Sequence, residues 1–77
     1  MSDQNHRAIA EVTGTVWKLL VAVGQRVNEG DELILIESMK MEIPVAAPCA
    51  GEVLEIQVAE GDPVREGAVV VLLRGQA

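Results

Sequence analysis

The sequence predicts an all-β domain: a small flattened β-sandwich (a barrel-sandwich hybrid) of two β units related by a pseudo-two-fold axis. Three observations lead there. Short apolar runs alternate with glycines, and no stretch of about 11 residues or more carries a helical period. The chain also repeats itself. Gly14, Gly24 and Gly30 recur 37 residues later as Gly51, Gly61 and Gly67. Between them Val16 matches Val53, Leu19 matches Ile56, Val21 matches Val58, Val27 matches Val64, Glu29 matches Glu66, and Leu33–Ile36 matches Val70–Leu73. Finally, 49% of the 77 residues are apolar, yet there is one Trp and no Phe or Tyr. The core must therefore be built from Val, Ile and Leu, side chains that suit a pleated surface.

Residues 1–7, Met-Ser-Asp-Gln-Asn-His-Arg, carry no apolar period and are expected to be a flexible N-terminal segment. The domain is expected over residues 8–74, with 75–77 as a flexible C-terminus. The main strands are expected at Ala8–Val12, Thr15–Val21, Glu32–Glu37, Glu42–Ala46, Glu52–Val58 and Val69–Leu73. The glycines punctuate the turns between them, where positive φ or close backbone approach is least costly. Pro48-Cys49-Ala50 before Gly51, and Pro63 after Gly61-Asp62, are turn chemistry as well. Trp17 breaks the pattern. Alternation groups it with Leu19 and Val21, whereas the match of Val16 to Val53 calls for Val16 inside. A β-bulge in this strand reconciles the two, with Trp17 either partly buried over one edge or turned out toward a partner.

At the midpoint of the repeat lies Glu37-Ser38-Met39-Lys40-Met41-Glu42, flanked by Glu32-Leu33-Ile34-Leu35-Ile36 and Ile43-Pro44-Val45-Ala46-Ala47. Two apolar strands around a short polar break read as a β-hairpin with Met39 and Lys40 at its tip. A lysine there is presented to solvent and to partners. The rest of the composition excludes other chemistry. The twelve acidic residues outnumber six basic ones, for a formal net charge of −6, which disfavours nucleic acid as a partner. It suits docking onto a protein with a basic surface, or simple solubility. A single Cys49 rules out an internal disulfide, His6 stands without other ligands at metal-binding spacing, and no run resembles a signal peptide or membrane span. The expected compartment is the cytoplasm. Glu37 and Glu42 flank an exposed turn with nothing to desolvate them, so they do not make an acid–base pair.

Met-Lys-Met behind a Glu and a small residue resembles the attachment motif of the biotinyl/lipoyl domain family. The likeness runs from about residue 9 to 74 and includes the two-fold repeat, the Gly-Thr-Val at Gly14, the Val-Gly-Gln-Arg-Val at Val23 and the Glu-Gly-Asp at Glu29. The resemblance implies a biotin carboxyl carrier. Lys40 would be biotinylated by a biotin protein ligase, which would recognise Glu37, Ser38, Met39, Met41 and Glu42. The tethered biotin would then pass carboxylate between biotin carboxylase and carboxyltransferase sites. The chain itself would be a non-catalytic, monomeric carrier.

Lipoyl domains are similar but usually place Asp-Lys-Ala at the acceptor. Met39 and Met41 depart from that pattern toward biotin, with lipoate, or either cofactor, as the alternative. Gly14 to Gly24 and Gly51 to Gly61 have equal spacing, so neither unit holds the "thumb" insertion of some bacterial acetyl-CoA carboxylase carriers. The chain resembles thumbless carriers and stand-alone biotin/lipoyl attachment proteins, and the initial Met favours a stand-alone protein over an excised domain. An unmodified adaptor of lipoyl-like fold is the remaining alternative; such proteins lack the Met-Lys-Met acceptor.

Overall fold

The first strand starts four residues before the apolar pattern places it. In the computed structural model, which describes residues 4–75, β1 runs Gln4–Ile9. Residues 4–7, expected to precede the domain, are therefore part of it. Their polar side chains hid the strand, and its place explains them. β1 is an edge strand held by backbone pairing to the last strand, and polar residues blunt an exposed edge. Gly75, expected in a flexible end, closes that last strand; residues 1–3 and 76–77 lie outside the described residues.

The remaining strands are β2 (Gly14–Leu19), β3 (Arg26–Val27), β4 (Glu32–Ser38), β5 (Met41–Ala46), β6 (Gly51–Ile56), β7 (Pro63–Val64) and β8 (Val69–Gly75). All pairings are antiparallel, in two four-stranded sheets ordered β1-β8-β6-β3 and β5-β4-β2-β7. An offset of 37 carries β1 onto β5, β2 onto β6, β3 onto β7 and β4 onto β8, and so carries one sheet onto the other. The pseudo-two-fold is thus complete among the described residues. It extends to the core: Ala8/Val45, Ala10/Ala47, Val16/Val53, Val27/Val64, Leu33/Val70, Ile34/Val71 and Ile36/Leu73 are all buried. No Phe or Tyr is needed because the two sheets interdigitate small branched side chains.

Four turns punctuate the units: Ala22–Gln25, Asn28–Asp31, Ala59–Asp62 and Arg65–Ala68. In each, the fourth N–H donates to the first carbonyl, at 3.0–3.1 Å. The third residue is a glycine with φ between 90° and 93°. That is the type II geometry, which needs positive φ there. Gln25, Asp31 and Asp62 tighten their turns by accepting the first residue's N–H on the side chain. Val12, Val21 and Val58, expected at strand ends, lie beyond the ladders but still pack against the core. The ladder of β2 with β4 shifts register at Trp17, and that of β6 with β8 shifts at the equivalent Leu54. The bulge keeps Val16 and Val53 inside and turns Trp17 out, where it is 47% exposed with the Lys18 ammonium 5.7 Å from its ring centre.

The described ends of the chain meet far from the β4–β5 turn. Gln4 pairs with Gly75, Gly75 with Gly51, and Gly51 with Val27. The chain continues to Gly30, whose N–H donates to Ala47, just past the end of β5 remote from Met41. Six residues of strand, roughly 20 Å at about 3.3 Å each, separate that pole from the turn.

Candidate functional site

Strands β4 and β5 are joined by the tightest connection a hairpin allows. Ser38 pairs with Met41, leaving only Met39 and Lys40 between the strands. Met39 has φ 52° and Lys40 φ 66°, the only non-glycine residues with positive φ among those described. Positive φ at both central positions defines a type I′ turn, whose twist matches that of the flanking strands. Such turns usually use Asn-Gly. Met-Lys has no such preference, so the turn stores strain of about 1–3 kcal/mol per residue that the flanking ladder must hold. The result is an exposed lysine at the tip of the hairpin.

The turn's surroundings are bare. Met39 is 91% exposed and Met41 62% exposed, and Lys40 is exposed. Lys40 makes no hydrogen bond, ion pair or ring contact with any described residue, in contrast to Lys18 over Trp17. Glu37 and Glu42 form the next pair down the ladder, both exposed, and Ser38 is half-buried. The six residues singled out by the sequence therefore sit together on one projecting hairpin. Neither carboxylate is buried. The half-buried Cys49 is free and lies between β5 and β6, and no group of three His, Cys, Asp or Glu among the described residues could hold a metal.

Sequence reasoning missed what supports the hairpin from behind. Ser38 Oγ donates to the Thr13 carbonyl at 2.9 Å, and Thr13 Oγ1 accepts the Glu66 N–H at 3.1 Å. Gly14 lies so close that a Cβ on it would collide with the Glu37 carbonyl oxygen. No motif flags Thr13. The signal available was its position one residue before a repeated glycine.

A family model described as Biotin-requiring enzyme, of the biotin/lipoyl type, matches residues 7–73. A biotin/lipoyl attachment protein of Bacillus subtilis is 43% identical over 63 residues, covering 82% of this chain and 86% of its own. A biotinylated protein TB7.3 homolog of Mycobacterium leprae is 41% identical over 64 residues, covering 83% and 90%. Pyruvate carboxylase of Bacillus subtilis is 40% identical over 62 residues, 80% of this chain but 5% of the enzyme. Among solved structures, the urea carboxylase of Kluyveromyces lactis superposes with a TM-score of 0.87 at 38% identity, over 95% of this chain and 6% of that one. With the two-fold sandwich and the projecting Met-Lys-Met turn, these matches identify the chain as a member of the biotin/lipoyl attachment domain family.

Proposed function

We propose that Lys40 is the attachment point of a covalently held biotin and that the domain is a carboxyl carrier serving a biotin-dependent carboxylase or transcarboxylase. The observation that carries this reading is the lone lysine on the strained two-residue turn, in a chain whose family attaches such cofactors. The site fits an amide-linked group. Nothing packs on Lys40, so the linked chain needs no cavity, and the flanking Met39 and Met41 offer soft, adaptable contact surface.

In the attachment step the neutral Nζ of Lys40 attacks the acyl carbon of biotinyl-adenylate held by a ligase. A C–N amide bond forms, the bond to the phosphate oxygen breaks, AMP leaves, and the amine proton passes to a ligase base. The turn's contribution is reach and rigidity: it enters a partner's cleft as one defined shape. When bound, biotin supplies a ureido nitrogen that accepts and gives up carboxylate. A tether fixed at Lys40 keeps that group at high effective concentration for two docked active sites. Biotin carboxylase and carboxyltransferase are the partners this reading requires, in a reducing cytoplasm that keeps Cys49 a thiol.

A second reading has its own support, since one relative is named for both biotin and lipoate. One experiment separates them. Intact mass of the protein from its source should show a single biotinyl amide, and Lys40→Arg should remove it while Lys18→Arg retains it. A lipoyl increment would favour the second reading. Streptavidin-reactive protein persisting in Lys40→Arg would overturn the assignment of the lysine.

A further inference from the structure

The pseudo-two-fold gives each residue a counterpart in the same fold but away from the lysine turn, and one departure stands out. Gly14 and Gly51 are counterparts, and a Cβ on either would strike a carbonyl oxygen, that of Glu37 or that of Arg74. That close approach is a demand of the fold. The hydroxyls beside it are not shared. Ser38 and Thr13 have as counterparts Gly75 and Ala50, which carry no side-chain donor or acceptor. The second unit forms the same strands, the same turns and the same core without them. The hydroxyls therefore serve something found only at the first unit's end, and what is found there is the strained turn bearing Lys40.

We propose that Ser38 and Thr13 are positioning residues for Lys40, an inference that rests on the reading of Lys40 as acceptor. Ser38 fastens the β4 stem of the hairpin to the β1–β2 connection through the Thr13 carbonyl. Thr13 in turn fastens that connection to Glu66, between β7 and β8, through its own hydroxyl. The turn is thereby carried on three segments of chain and not on one pair of strands. A projecting two-stranded ribbon is marginal alone, and positive φ at two ordinary residues pushes it toward other conformers. A ligase that accepts one conformer binds in proportion to its population.

The test uses Ser38→Ala, with Ser38→Thr as the variant that keeps the hydroxyl. Amide hydrogen exchange at Ser38 and Met41, the pair closing the turn, should quicken about 5-fold in Ser38→Ala, the equilibrium factor of one neutral hydrogen bond. Exchange at Val53 and Val71 in the far sheet should not change. With a biotin protein ligase, biotin and ATP, KM for Ser38→Ala should rise by up to about 5-fold, and Ser38→Thr, which keeps the hydroxyl, should return the two amides to the parent's exchange rates. Thr13→Val, which keeps the side-chain shape, should loosen the same two amides. If exchange and KM in Ser38→Ala both equal those of the parent, or if Ser38→Thr fails to restore the exchange rates, the positioning role is wrong. If Lys40→Arg is still labelled, it is instead the reading of Lys40 that fails.

Discussion

Glu37 and Glu42 stand directly opposite each other on the β4–β5 ladder, one step below the pair that closes the Lys40 turn. Like charges so placed disfavour pairing. The equivalent step in the other sheet holds Asn5 opposite Arg74, with Glu52 on the other side of Arg74, so there the charges complement one another. Glu42→Gln should therefore stabilise the protein by about 0.2–1 kcal/mol. The gain should shrink in about 1 M salt, where exposed charges are screened within about 3 Å. Thermal melts at two salt concentrations check both parts, and a salt-independent gain would reject the electrostatic explanation.

Two kinds of glycine should fail for different reasons. Gly24→Val and Gly61→Val place a branched residue at φ near 92°, with open space around it, so only backbone strain acts. A loss of about 1–3 kcal/mol is expected at each. Gly14→Ala strikes the Glu37 carbonyl and must push β2 away from β4. It should also disturb the hairpin amides, which the two turn variants should leave alone. Urea unfolding with amide-resolved NMR distinguishes the cases.

Core truncations should obey the two-fold. Ile36 and Leu73 are counterparts and both fully buried, so Ile36→Ala and Leu73→Ala should each lose about 2–5 kcal/mol. That is comparable with the whole stability of a small domain, about 5 kcal/mol, and either variant should be largely unfolded on warming. Denaturant midpoints that differ widely between the two would mean that the halves are not energetically equivalent.

Trp17 should be nearly dispensable for folding. It is half-exposed, and its counterpart Leu54 fills the same bulge, so Trp17→Leu should change stability by no more than about 0.5 kcal/mol. In the native protein its fluorescence should already be open to iodide, drawn in by the adjacent Lys18 ammonium. An unquenched native Trp17 would contradict its placement on the outer surface.

The main strands, the turns and the hairpin tip were legible because each has a local signal: an apolar run, a glycine, or a polar break between two runs. The start of β1 was not, since Asn5, His6 and Arg7 are polar and enter the fold through backbone pairing at an edge. The repeat could have found it, because shifting β5 back by the 37-residue offset lands on Gln4–Ile9. β3 and β7, at two residues each, are too short for any period to register. At the candidate site, the lysine and its neighbours could be read from the motif. The type I′ conformation could not, because Met-Lys lacks the Asn-Gly chemistry that announces such a turn. Nor could the Ser38–Thr13 bond, which joins residues 25 positions apart.

The pairing of Gln4 with Gly75 has a mechanical consequence. A polypeptide that enters this fold at Gln4 and departs at Gly75 crosses only the gap between two paired strands, about 5 Å. A surface loop of a larger protein can open by that much at little entropic expense, so inserting the domain through those two points would ask little of a host. Grafting through those two points should leave both sheets intact, and it would set Lys40 at the free end of a lever roughly 20 Å long, measured along β5. Rotation about that junction then sweeps the lysine over an arc whose radius the protein supplies before any attached group extends it.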